Sequence, residues 1–152
     1  MKNLYRRLFG RLYWVQYSKE LSYKGEWKHG SFHGEGHLKY GNGNTFTGSF
    51  KSGTKNGFGH YKTSNSFEYI GDWLNGHQTG FGAICYKNGD LYEGDVQNGL
   101  RNGGGRFFRP LIAFGIKVPG YKAFYMDTLK SHARNGYLRD SFPKKTSFHW
   151  AN

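Results

Sequence analysis

One aromatic position recurs through the chain at Tyr23, Phe46, Tyr69 and Tyr92, in steps of 23 residues. A fixed period of this length restricts the fold more than any other property of the sequence. Each unit is one supersecondary element, and it can bury its apolar face only against its neighbours. The glycines hold the same register. Gly25, Gly48, Gly71 and Gly94 follow the aromatic, then Gly30, Gly53, Gly76 and Gly99, then Gly34, Gly57, Gly80 and Gly103, then Gly36, Gly59, Gly82 and Gly105. A second large apolar position reads Trp27, Phe50, Trp73 and finally Val96.

The spacing has a strand reading. Side chains alternate along a strand, so Tyr69, Gly71 and Trp73 share one face while Ile70 and Asp72 share the other. A glycine between two aromatics leaves a slot in which a ring from a neighbouring strand can lie on bare backbone. Asn75-Gly76 and Asn88-Gly89 are strong hairpin-turn dipeptides because both residues tolerate positive φ. A second strand is expected from near Gly82, with Gly82, Ile84 and Tyr86 on the aromatic face and Ala83 and Cys85 opposite. The other copies agree, as Gly36, Leu38, Tyr40, then Gly59, Tyr61, Thr63, then Gly105 and Phe107. Each unit thus reads as one β-hairpin with an aromatic face and a polar face.

The pattern Tyr-x-Gly-x-Trp-x-x-Gly-x-x-x-Gly-x-Gly resembles the MORN repeat (membrane occupation and recognition nexus). The resemblance covers four units, about 23–109, with a degenerate half-unit before Tyr23 as an option. It implies a mainly β fold: an elongated single-layer antiparallel sheet of successive hairpins, usually a scaffold without catalysis. The copies depart from the pattern where Ser66 replaces the late glycine of Gly43 and Gly89, where Val96 replaces Trp, and at Leu100-Arg101-Asn102, a poor fourth turn.

Only 36% of the residues are hydrophobic, but 19% are aromatic: 12 Tyr, 13 Phe and 4 Trp, enough large rings to hold a thin sheet together. A single Cys excludes an internal disulfide and favours a reducing compartment, in agreement with the lack of an Asn-x-Ser/Thr sequon. No apolar run approaches the roughly 18 residues of a membrane span. The net charge of +12 is unevenly placed, with +4 in residues 1–22, +3 in 23–109 and +5 in 110–152. The repeats are nearly balanced and the extensions are basic, as suits elements that meet acidic surfaces.

Three segments follow: a basic amphipathic N-terminal extension or cap (1–22), the repeat array (23–109), and a C-terminal cap with a basic aromatic tail (110–152). In the first, Leu4, Tyr5, Leu8, Phe9 and Leu12 share a helical face opposite Lys2, Arg6 and Arg7. Three readings fit it: a helix or strand capping the first hairpin, an interfacial membrane helix, or an uncleaved mitochondrial address. The run Leu12–Tyr17 is aromatic and β-prone, and Tyr17 stands 23 residues before Tyr40, so it reads as an incomplete starting strand. Beyond Pro110, an apolar stretch runs from Leu111 to Val118. A short helix is expected from Tyr121 to about Arg134, striped by Tyr121, Tyr125 and Leu129 and ended by Asn135-Gly136. That helix would cover the open end of the sheet.

Catalytic and ligand-binding patterns are weak. His29, His33 and His37 straddle a glycine-rich turn, and Cys85 is a lone thiol, so no metal site is expected. Gly34-Glu-Gly36 and Gly103-Gly-Gly105 are repeat glycines and lack the Gly-Lys-Ser/Thr ending of a phosphate loop. Asp72, Asp90, Glu93 and Asp95 are expected as solvent-face carboxylates on a flat sheet without a pocket. Neither a cofactor nor catalysis is expected, and nucleic acid is not an expected partner, because the repeat aromatics follow a packing register. The repeat-defining residues are Tyr23, Gly25, Trp27, Phe46, Gly48, Phe50, Tyr69, Gly71, Trp73, Tyr92, Gly94 and Val96. The candidate docking residues are Arg6, Arg7, Arg11, Trp14, Lys144, Lys145, Phe148 and Trp150. The expectation is a scaffold that joins other protein subunits in a cytoskeletal, ciliary or axonemal, or membrane-associated assembly, with a cytoplasmic, cytoskeletal or ciliary location. Alternatives are peripheral binding to acidic phospholipid and an accessory role in a mitochondrial complex.

Overall fold

The structure, a computed structural model, describes the backbone of residues 4–5 and 13–18 and, with their side chains, residues 21–109 and Asp127. Its strands are β1 (Leu4–Tyr5), β2 (Tyr13–Ser18), β3 (Leu21–Lys28), β4 (Ser31–Tyr40), β5 (Thr45–Lys51), β6 (Thr54–Lys62), β7 (Glu68–Leu74), β8 (His77–Cys85), β9 (Leu91–Gln97) and β10 (Leu100–Phe108). They form one sheet in chain order, each strand antiparallel to the next. Four hairpins, β3–β4 through β9–β10, are the four sequence units.

Within each unit the turn is a two-residue one. His29-Gly30, Ser52-Gly53, Asn75-Gly76 and Asn98-Gly99 all have positive φ, for example 50° and 85° at Asn75 and Gly76. This turn twists in the same sense as the strands it joins, which is why it recurs. The second strand of the third unit therefore starts at His77, five residues before the Gly82 expected from the sequence. Likewise Leu100, Arg101 and Asn102 lie in β10, and the fourth turn is Asn98-Gly99. Between units the connection is longer. The N–H of Gly43, Ser66 and Gly89 donates to the carbonyl of Tyr40, Thr63 and Tyr86 respectively. All three turn residues have positive φ, including Ser66 at 72°.

At the N-terminus the helical periodicity is overruled where the structure describes it. Leu4–Tyr5 is a strand paired with Trp14 and Val15, and β2 continues the sheet onto β3. The open edge of β3 offers a ladder of backbone partners, which outweighs a weak amphipathic pattern. The starting strand expected near Tyr17 is β2. The C-terminal helix falls outside the described residues except for Asp127, which is helical and exposed.

Candidate functional site

The aromatic face is built by a repeated device. The Tyr69 ring lies across Gly71 of its own strand and Gly82 of the paired strand. A Cβ on Gly71 would come within 2.6 Å of the Gly82 Cα, the Phe81 carbonyl oxygen and the Tyr69 hydroxyl. The slot is thus filled chiefly by the unit's own first ring, not by a ring from a neighbouring strand as the spacing implied. A neighbouring unit does contribute at Gly59, where Trp73 Nε1 approaches and donates to the Gly59 carbonyl at 3.3 Å. The Tyr69 hydroxyl donates to the Asp72 carbonyl at 2.9 Å, as Tyr23 does to Glu26 at 3.0 Å and Tyr92 to Asp95 at 2.8 Å.

In the first three units the first ring takes the second aromatic edge-on. Tyr23 meets Trp27 at 5.4 Å, Phe46 meets Phe50 at 5.1 Å and Tyr69 meets Trp73 at 5.5 Å, all near perpendicular. The next unit closes against the same rings, with Tyr23–Phe50 at 5.2 Å and Phe46–Trp73 at 5.1 Å. Such edge-to-face pairs add about 0.5–1.5 kcal/mol each beyond area burial. The result is a continuous ladder of rings, ended by Tyr92 and Val96. Val96 has no ring, yet it is buried in the same cluster.

Burial leaves its mark on titration. Burial chiefly, with the Glu26 carboxylate second, pushes the Tyr23 hydroxyl up to about 12. Burial and Tyr61 push Tyr40 up to about 12, and burial and Asp72 raise Tyr69 further.

One in-phase position escaped the sequence reading. Phe32, Lys55, Gln78 and Arg101, again 23 residues apart, follow the tight turn and return to the aromatic face. Phe32 stacks flat on Tyr23 at 3.9 Å. The Lys55 ammonium sits among four rings, 4.7 Å from Trp73, 4.8 Å from Tyr61, 5.2 Å from Phe46 and 5.4 Å from Tyr40. Burial there lowers its pKa. The Arg101 guanidinium lies 5.2 Å from Phe107 and 5.7 Å from Tyr92. The quadrupole of each ring face attracts a cation held over it. The 23-residue step would have exposed this position, but its residue types differ in every copy.

The carboxylates serve the backbone. Each hairpin slips register just after its first glycine, as between Gly71 and Trp73. Asp72 Oδ2 accepts the Phe81 N–H at 3.1 Å and Asp95 Oδ2 accepts the Gly104 N–H at 3.1 Å, satisfying groups the slip removes from the ladder. Gly80 bends back beside this carboxylate with φ +72°, and a Cβ there would lie 2.8 Å from Asp72 Oδ2.

Two expectations about the other face need correction. Glu93 and Cys85 are buried rather than solvent-facing; Asp90 is buried too, but on the ring side, beside Tyr86, Arg101 and Phe107. Alternation places Glu93 and Cys85 on one face; it could not reveal that this part of the face is covered. Of the histidines, His37 bonds the Thr47 hydroxyl at 2.8 Å and His29 occupies the first tight turn. Among the described residues, no three His, Cys, Asp or Glu side chains converge as metal ligands. The candidate docking residue Trp14 lies in β2; Arg6, Arg7, Arg11, Lys144, Lys145, Phe148 and Trp150 lie outside the described residues.

The MORN repeat family model matches residues 23–45, 46–66, 69–91 and 92–110. The chain belongs to the MORN-repeat family. The matched segments coincide with the four hairpins and cover more than half of the sequence. MORN repeats are a non-catalytic module, commonly used to bind proteins or membranes. No curated protein sequence matches this chain.

Proposed function

We propose that this MORN protein is a non-enzymatic scaffold whose aromatic face and basic extensions dock other protein subunits of a larger assembly. One observation carries the reading. Between the buried rings, the face presents half-buried Trp27, Phe32, Tyr40, Tyr61, Phe67 and Tyr86, interleaved with Lys55 and Arg101. From β3 to β10 this strip runs about 34 Å, at about 4.8 Å per strand. Aromatic and Arg side chains are the residues that carry most interface energy, and an extended strip suits a peptide or subunit surface better than a small molecule.

The extensions supply the second part. Arg6, Arg7, Arg11, Lys144 and Lys145 provide salt-sensitive attraction, and Trp14, Phe148 and Trp150 provide apolar anchors. Proximity labelling in cells, followed by pull-down with the full chain, tests the reading. Replacing Tyr61 and Arg101 by Ala and Glu should weaken capture of the labelled subunit by 10-fold or more, on the order of the ~1.4 kcal/mol that one interface anchor contributes. Replacing Lys144 and Lys145 by Glu should weaken it mainly at low salt. Partner capture unchanged by both sets would refute the proposal.

A second reading has its own observation. Exposed Lys24, Lys39 and Lys62 lie on the opposite face of β3–β6, as a flat basic patch. That patch favours contact with acidic phospholipid, and flotation with phosphatidylserine vesicles distinguishes it from protein docking. Cell fractionation addresses the ciliary, cytoskeletal and mitochondrial settings.

A further inference from the structure

The face opposite the ring ladder is not uniform. One row of paired residues across the strands reads Lys24, His37, Thr47, His60, Ile70, Ala83, Glu93 and Arg106. The first three are exposed and His60 is half-buried, but Ile70, Ala83 and Glu93 are 0%, 1% and 2% exposed. The next row reads Lys39, Thr45, Lys62, Glu68, Cys85, Leu91 and Phe108, and it changes at the same place. Cys85 and Leu91 are 0% and 1% exposed.

Long neighbours cannot explain this. Ala and Cys are short, and strands stand about 4.8 Å apart, so such side chains on a bare sheet keep access to water from above. They lose it only when a second layer lies over them. Among the described residues, only the half-buried Phe58 and Phe108 pack against this cluster.

Three observations point to the cover. The described sheet ends beside the cluster, since Phe108 pairs with Leu91 and packs on it, so the chain leaves the sheet at the patch itself. The sequence that follows contains the apolar stretch Leu111–Val118 and the stripe Tyr121, Tyr125 and Leu129. It also carries Lys117, Lys122, Lys130 and Arg134 against Asp127 alone. The patch has the opposite character, with Glu68 and Glu93 buried in or beside it. Of these, Glu68 bonds His60 at 2.9 Å and faces Lys62 at 3.6 Å. Carboxylates are tolerated under a cover only when that cover is polar or cationic where it meets them. A second copy seated on the same patch would instead bring the two sets of carboxylates together, like charges in a desolvated contact. Three strands are about 14 Å wide, a width that roughly ten helical residues span.

We propose that residues 111–134 fold back over the second face of β7–β9 and form an intramolecular second layer on Ile70, Ala83, Cys85 and Leu91. The segment would then cover the side of the sheet and leave the open edge of β10 uncapped. It would also leave 137–152 available for docking.

Cys85 is a built-in reporter. In the full chain its labelling by a maleimide should be roughly 100-fold or more slower than that of a free thiol, because reaction requires the layer to open. The protection should not change with protein concentration. A benzophenone photo-crosslinker placed at Arg106, which is exposed and in register with Glu93, should join the chain to peptides within 111–134 at monomer mass. The same group at Thr47, on the exposed half, should not. Cys85 labelling at the free-thiol rate would show the face open and overturn the proposal. Protection that rises with concentration, or crosslinks at dimer mass, would assign the cover to a second copy. Crosslinks confined to other segments of the same chain would assign it elsewhere, again overturning the proposal.

Discussion

The two halves of the sheet share one face and differ on the other. On the ring side, β3–β6 and β7–β10 repeat the same construction: first ring over paired glycines, second apolar group against it, acid or hydroxyl at the slipped register. On the opposite side, β3–β6 presents Lys24, His37, Lys39, Thr47 and Lys62 to water, whereas β7–β9 buries Ile70, Ala83, Cys85 and Leu91. Periodic residues therefore build the array, and the aperiodic residues between them decide what each part of the array can meet. A solenoid needs identical stacking only along the surface by which its units touch. The other surface is free to vary.

That comparison can be tested by substitution. The largest expected effects are on the shared face. Gly71→Val and Gly48→Val should each lower stability by about 2–4 kcal/mol, measured by urea unfolding, because both new side chains collide with backbone as well as rings. Equal losses in the two halves would support a common construction, and a neutral result at either site would break it.

On the other face the halves should separate. Ile70→Ala should cost about 2–4 kcal/mol, as a buried truncation does, while Thr47→Ala in the same row should stay within about 0.5 kcal/mol. If the two substitutions cost the same, the second face is equivalent throughout and the contrast is lost.

Alkali acts on the ring side again. The hydroxyls of Tyr23 and Tyr40 shift from the ordinary 10.0 to about 12 because burial disfavours the phenolate. The unfolded chain ionises first, so their contribution is complete below pH 10 and is lost as pH rises toward 12. Melting temperature followed by circular dichroism should fall steeply across that window, in step with tyrosinate absorbance at 295 nm (roughly). Full tyrosinate absorbance well below the loss of fold would contradict the buried ladder.

The smallest effect sits at the seam between the halves. Ser66 closes the β6–β7 turn with φ 72°, where Gly43 and Gly89 close the equivalent turns. Ser66→Gly removes that strain but gives the unfolded chain more freedom, so a net gain of about 0.5–1 kcal/mol is expected. A loss of stability would mean that the Ser66 side chain contributes more than the strain costs.

The sequence by itself determined the unit, its length, the four copies and the sharing of faces, because strand alternation and glycine register are local consequences of backbone geometry. Tyr69, Gly71 and Trp73 fall on one side for that reason, and so do Ile70, Ala83 and Cys85 on the other. The ring that fills each glycine slot was not legible, since spacing cannot tell a residue's own strand from its neighbour. The slipped register was hidden for a similar reason: only the paired strands show that Asp72 and Asp95 answer displaced N–H groups. Lys55 and Arg101 became visible as aromatic-face residues only when the turn delivered them there. Burial of Asp90, Glu93 and Cys85 was decided by tertiary structure alone. Alternation assigns a residue to a face, but whether water reaches that face depends on what else the fold brings over it.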